Sequence, residues 1–221
     1  ASYWTQCISE LKQLKPGFKM MAEGDLTDAN NLRLQNCGWD YDYAWGLQSA
    51  MRTNKDNAAN LKVALKEYNQ NTRNLPFGRM TYVTNHDQNG NNDGGKLSTL
   101  YGSNRYAMTV MSFTVNGMPL IYNGQEIGDN DVLNYFEDAT KVNWSNVDAT
   151  MQTLVGKLAQ LKHEQLPLAN RPAYQTATAT LNASSSDVLA YVRTIDNEAV
   201  LVVLNLSASQ QTFRISDVNP G

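Results

Sequence analysis

The stretch "TYVTNHDQNGNNDGG", residues 81–95, decides how this chain is read. It opens apolar and β-branched, turns polar at Asn85, His86 and Asp87, and runs out in Asn and Gly. A calcium loop, a surface turn and the functional end of a β-strand all compete for it. The calcium loop fails on spacing. Counted from Asp87, the sixth position is Asn92, where an EF-hand loop needs Gly, and the twelfth is Ser98. Counted from Asn89, Gly94 falls at six, but Leu100 stands where the bidentate acid belongs. What remains is a strand ending in Asn85, His86 and Asp87, with a glycine-rich loop behind it. His86 is one of two histidines in the chain and sits beside an acid at a strand end, which favours a functional role.

Outward from this stretch the pattern repeats. "FKMMAEGD" (18–25) is a short apolar run ending in Glu23 and Asp25, and "LIYNGQEIG" (120–128) carries Gln125 and Glu126. Helical stripes lie between and around these runs. One is Tyr3, Trp4, Cys7, Ile8, Leu11 and Leu14, stopped by Pro16-Gly17; a second is Ala58, Leu61, Leu65 and Tyr68. A third spans roughly 102–115 and stops at Gly117-Met118-Pro119. A fourth is Met151, Leu154, Val155, Leu158 and Leu161, with Asp148 as its predicted N-cap. Alternating strand and helix predicts a parallel α/β sheet. After about Pro167 the helical stripes end. Four β-branched segments, "AYQTATATLN", "DVLAYVRTID", "EAVLVVLNLS" and "QTFRISDV", are separated by short polar turns and predict a small antiparallel β module.

The bulk properties exclude several classes. A net charge of −3 over 221 residues gives no electrostatic reason to expect nucleic acid or an anionic membrane as a partner. "VLVVL" (200–204) is too short to span a bilayer. Cys7 and Cys37 match no metal-ligand spacing and form no disulfide framework, so they read as small buried apolar groups. Ala1 begins without a signal-peptide pattern, so either a leader has been removed or the chain is part of something longer.

In parallel α/β architectures ligands sit at the carboxyl ends of strands. Glu23, Asp25, His86, Asp87, Gln125 and Glu126 should therefore converge. A carboxyl after an apolar run is expected to be partly desolvated, which raises its pKa and suits a proton donor. Facing carboxyls are what cleavage of a glycosidic bond needs: one protonates the leaving oxygen, another meets the developing positive charge. For any single acid, the plainer reading is the N-cap of the next helix.

"TYVTNHD" resembles the strand-seven motif of the α-amylase superfamily (glycoside hydrolase family 13). "KMMAEGD" resembles its strand-five motif, and "GMPLIYNGQEIG" the segment around strand eight. The helix "MQTLVGKLAQLKHEQLPL" looks like the last barrel helix. The resemblance implies that residues 1–166 are strands five to eight, the C-terminal half of a (β/α)8 TIM barrel. Residues 167–221 are then the antiparallel β-sandwich C-terminal domain. It implies that Glu23 is the general acid/base and that Asp87 holds substrate hydroxyls and stabilises the transition state. His86 would hydrogen-bond a sugar hydroxyl, and Tyr82 and Asn85 belong to the same motif as substrate-binding residues. Trp39 and Tyr41, in "CGWDYDYAW", either stack on sugar rings or pack in the interior. Glu126 receives no catalytic role and reads as structural.

The departures from the family pattern matter as much. The strand-four motif with its Asp nucleophile and the strand-three motif are absent, as is the inserted domain that holds calcium. By the family order Ala1 falls just after the nucleophile. The resemblance thus implies an α-1,4-glucan hydrolase of retaining mechanism, represented by a piece that is inactive alone. Neopullulanase, cyclomaltodextrinase, α-glucosidase and a non-catalytic carbohydrate-binding remnant are its alternatives. The implied partners are an α-glucan and the N-terminal half-barrel. No metal site is expected in this chain, calcium being expected only in the complete enzyme, and the implied location is extracellular or periplasmic.

Overall fold

The computed structural model describes residues 2–24, 33–34, 36–72, 78–90, 95–128, 131–134, 140–169 and 176–216. Four short strands, β1 (Met21–Ala22), β2 (Tyr41–Tyr43), β3 (Gly78–Thr81) and β4 (Met118–Pro119), form one parallel sheet in sequence order. The register sets Met21 beside Tyr41, Tyr41 beside Gly78, and Met80 beside Met118. Strands that pair in order, with helices between β2 and β3 and between β3 and β4, are the α/β pattern expected from the alternation. The predicted strands are longer than the observed ones, because residues after Ala22, Thr81 and Pro119 leave the ladder to form loops.

Six α-helices accompany the sheet among the described residues: α1 (Ser2–Leu14), α2 (Trp45–Thr53), α3 (Ala58–Thr72), α4 (His86–Gly90), α5 (Leu97–Tyr101) and α6 (Arg105–Thr114), with α7 (Ala149–Glu164) following the sheet as a seventh. Asp148 caps α7 as expected, its Oδ1 accepting from the Thr150 and Met151 amides at 3.0 Å. Helix α2 has no counterpart in the sequence reading, since Leu47, Gln48 and Met51 bury a stripe too short to stand out. Helix α1 forms as expected, yet only Ile8 of its stripe is fully buried, while Tyr3, Trp4 and Leu14 are exposed.

The two faces of the parallel sheet differ. On one, Ala22, Asp42 and Arg79 lie side by side, and Asp42 pairs with Arg79 at 3.2 Å. Thr81 shares this covered side and donates to the Ser112 carbonyl of α6. On the other face Met21 is 42% exposed and Tyr41, Tyr43 and Met118 are half-buried, while Met80, between Tyr43 and Met118, is buried. Strand β4 reaches β3 because Gly117 has φ +147°, and a Cβ there would stand 2.6 Å from the Arg79 carbonyl oxygen.

The second sheet is antiparallel, in the order β7 (Glu198–Asn205), β6 (Val188–Ile195), β5 (Ala177–Ala183), β8 (Ile215–Ser216). Among the described residues it packs on helices rather than on a second sheet of its own. Leu189, Tyr191, Val202 and Leu204 join Leu61, Leu65, Met108 and Val155 in one continuous apolar core. The alternation on β7 leaves Leu201 and Val203 outside while Val202 and Leu204 face the helices, so the inner face of the expected sandwich is covered by helices among the described residues. Arg193, 1% exposed, ties β6 to the preceding segment through the Pro167 carbonyl and the Thr176 and Thr178 hydroxyls. Cys7 and Cys37 are both free thiols, and Cys37 is buried. No helix among the described residues is long and apolar enough to cross a membrane.

Lys162, near the end of α7, reaches toward the Val115 carbonyl at the end of α6. Burial of its ammonium, and secondarily the charge of Arg193, pull its pKa down to about 7. A folded-state pKa below the unfolded value means the unfolded chain binds the extra proton between the two. Lys162 thus opposes folding most below about pH 7, and the penalty fades as pH rises toward the ordinary lysine value. The expected outcome is that Lys162→Met raises the unfolding midpoint at pH 6, with a gain that shrinks steadily toward pH 10. Thermal denaturation across that range checks it.

Candidate active site

Glu23 follows β1 directly, and its position two residues after Met21 gives it the alternation of the open face. His86 and Asp87 follow β3 after four buried residues, Tyr82, Val83, Thr84 and Asn85. They do not end in an irregular loop. They open a helical turn, α4, because Asn85 accepts the Gln88 amide on its Oδ1 at 3.0 Å and the Asn89 amide on its carbonyl at 2.9 Å. Asn89 then anchors the turn, donating to the Asp131 carbonyl and accepting the Leu133 amide. Residues 91–94 of the glycine-rich tail lie outside the described residues, as does Asp25.

The strand ends bring three of these groups together. His86 Nε2 stands 3.4 Å from Glu23 Oε1 and 3.5 Å from Asp87 Oδ1. Ligand-type atoms of all three lie within 4.8 Å of one another. The expected desolvation of the carboxyls is not found: the Glu23 side chain is 50% exposed and that of Asp87 40%. The described residues leave both carboxyls in contact with water. Glu126 is not part of the group; it sits in the 3-10 turn Gln125–Ile127 after β4, one carboxylate oxygen buried without a hydrogen-bond partner.

Aromatic residues border the group. The rings of Tyr43, Trp45 and Tyr82 meet at centroid distances of 5.6 to 5.8 Å. Desolvation pushes the Tyr43 phenol up, and the charges of Glu23 and Asp87 push it further. Tyr82 is raised by burial first, with Tyr43, Asp87 and Glu23 contributing. Its hydroxyl is buried and has no hydrogen-bond partner, as is the case for the Asn85 side-chain nitrogen. Tyr43 and Trp45 were not singled out from the sequence. The signal was present, since Tyr43 shares the face of Tyr41 and lies nearer the carboxyl end of β2. Trp39 and Tyr41 lie at the other end of that strand. Trp39 precedes β2 and packs on Trp4 at 5.1 Å, and Tyr41 is the first residue of the strand.

Two further residues hold the loop that carries His86 and Asp87. Tyr101 of α5 donates its hydroxyl to the Val83 carbonyl at 2.8 Å, and Gln48 of α2 reaches the same carbonyl and the Tyr101 oxygen. Both side chains are buried and act through the backbone.

An acid, a histidine and a second acid thus gather at the ends of parallel strands. The family model "Alpha-amylase SusG C-terminal domain" matches residues 188–220. The alpha-amylase MalA of Haloarcula japonica is 31% identical over 135 residues, 60% of this chain and 19% of that protein. The crystal structure of an alpha-amylase from H. orenii superposes with a TM-score of 0.74 at 17% identity, covering 93% of this chain and 46% of that one. An acarbose complex of the alpha-amylase from Geobacillus thermoleovorans gives 0.68 at 18% identity over 94% and 46%. A cyclic α-maltosyl-(1→6)-maltose hydrolase from Arthrobacter globiformis shares the fold at a TM-score of 0.70 and 15% identity, over 92% and 45%. The resemblance to the α-amylase superfamily read from the three motifs is thereby borne out. The chain spans about half the length of the solved structures it matches and a fifth of the curated relative.

Removing the Tyr101 hydroxyl leaves the Val83 carbonyl with a single longer partner in a buried setting. Tyr101→Phe is expected to cost about 1–3 kcal/mol of stability. It should also speed amide exchange at residues 83–88 more than in the second sheet. Denaturant titration and hydrogen exchange check the two parts.

Proposed function

We propose that this chain supplies the acid/base side of a retaining α-1,4-glucan hydrolase. In this reading residues 1–166 are strands five to eight of a (β/α)8 barrel, and residues 167–221 its C-terminal β domain. The observation that carries it is His86 Nε2 placed between Glu23 Oε1 and Asp87 Oδ1 at the carboxyl ends of parallel strands. Support for the larger assembly comes from the open, half-buried face of the parallel sheet and from the 46% share of the solved relatives that the chain covers.

Glu23 donates its proton to the glycosidic oxygen as the bond breaks and, as carboxylate, later takes a proton from the attacking water. Asp87 and His86 accept and donate hydrogen bonds to sugar hydroxyls, and the charge of Asp87 stabilises the oxocarbenium-like transition state. Asn85 and Tyr82 support that segment, while Trp39, which packs on Trp4, lies with Tyr41 at the far end of β2. The covalent step uses an Asp nucleophile outside this chain, from the N-terminal half-barrel whose docking would also cover the open face and desolvate Glu23. Calcium, where the complete enzyme uses it, is held outside these residues; an imidazole with two carboxylates is a poor match for an ion that takes six to eight oxygens. Action on a polymeric glucan is consistent with an exported enzyme, extracellular or periplasmic.

Release of reducing sugar from soluble starch tests the reading. The 221-residue chain alone is expected to be inactive, and to gain activity when a separately produced N-terminal half is added. In the reconstituted enzyme Glu23→Gln should cut kcat by roughly 10²–10⁴ for substrates with poor leaving groups. Activity in the lone chain, or a Glu23→Gln enzyme as fast as the parent, would overturn the assignment.

A further inference from the structure

We propose that Glu23, His86 and Asp87 form a binding site for a zinc ion, so that zinc and the glucan compete for the same three side chains. Zinc takes nitrogen and carboxylate ligands tetrahedrally with bonds of about 2.0–2.1 Å. The edges of such a tetrahedron are about 3.3–3.4 Å long, by geometry from those bond lengths. His86 Nε2 already stands 3.4 Å from Glu23 Oε1 and 3.5 Å from Asp87 Oδ1, two of the edges required. The remaining ligand-atom separation is within 4.8 Å, and both carboxyls are exposed enough to rotate onto an ion. One imidazole and two carboxylates suit a first-row transition ion, and zinc above calcium or magnesium.

A second observation points to a ligand at the same place. Tyr82 is 1% exposed, and its buried hydroxyl has no hydrogen-bond partner. It lies in the field of both Glu23 and Asp87 and against the Tyr43 ring. Three protein ligands leave zinc a fourth position for water.

Bound zinc occupies the Glu23 oxygen that would carry the transferable proton, so it acts as a reversible inhibitor. The inhibition rests on the proposed reaction; the site itself stands on geometry. Isothermal calorimetry of the full chain with zinc chloride tests it, using His86→Ala and, as control, His163→Ala, the only other histidine. The expected result is one zinc per chain, weakened roughly tenfold or more by loss of His86 and unchanged by loss of His163. Asp87→Asn should weaken binding in the same direction, and circular dichroism confirms that each variant remains folded. Absence of binding by the parent chain, or equal binding by His86→Ala, overturns the site. In the reconstituted enzyme, zinc should inhibit starch hydrolysis and a chelator restore it. Zinc bound with His86 dependence, but no starch hydrolysis at all, would leave the site standing and remove the glucan reading alone.

Discussion

The site depends on the parallel register of four short strands. Met21 is held beside Tyr41, Tyr41 beside Gly78, and Met80 beside Met118, so the chain leaves each strand on the same side of the sheet. Glu23 and His86 are separated by 62 intervening residues, numbers 24 to 85, yet the register brings their side chains to 3.4 Å. The pairing needs its own supports. Asp42 and Arg79 bridge β2 and β3 on the covered face, and a glycine at 117 lets β4 approach the backbone of β3. Buried pairs of this kind are costly to break singly, because the partner left behind is a desolvated charge.

The geometry of the Glu23, His86 and Asp87 group also rests on how the loop after β3 is held. Four buried residues carry the chain from the ladder to His86, and the carbonyl of Val83 within them is fixed by Tyr101 and Gln48. Asn85 then turns the backbone into a helix whose first two residues are the histidine and the acid. A half-exposed acid and imidazole thus sit on a backbone that buried hydrogen bonds hold on the protein side. The openness of Glu23 and Asp87 follows from the uncovered face of the sheet, the same face on which Met21 and the two tyrosines of β2 remain half-exposed.

Much of this was legible in the sequence, because the strand ends carry abrupt changes from apolar to polar residues. "MMAEGD" and "YVTNHD" each name a site residue, and Asp148 announces its helix. Helix α2 escaped, since nine residues with three buried positions make too short a stripe. Tyr43 and Trp45 escaped because their contacts with Tyr82 cross between strands and have no sequence spacing. The sequence suggests a loop where α4 forms: its Asn and Gly content argues for a turn, and only the side-chain cap of Asn85 overrides it. The half-exposure of Glu23 was illegible for another reason. Burial is set by what covers a face, and periodicity shows which residues share a face without showing what lies opposite.

A crystal structure of the reconstituted enzyme with a maltooligosaccharide inhibitor tests the central claim most directly. The account expects Glu23 within hydrogen-bonding distance of the glycosidic oxygen, with His86 and Asp87 on hydroxyls of the adjoining ring. A sugar chain bound away from the Glu23, His86 and Asp87 group would contradict it.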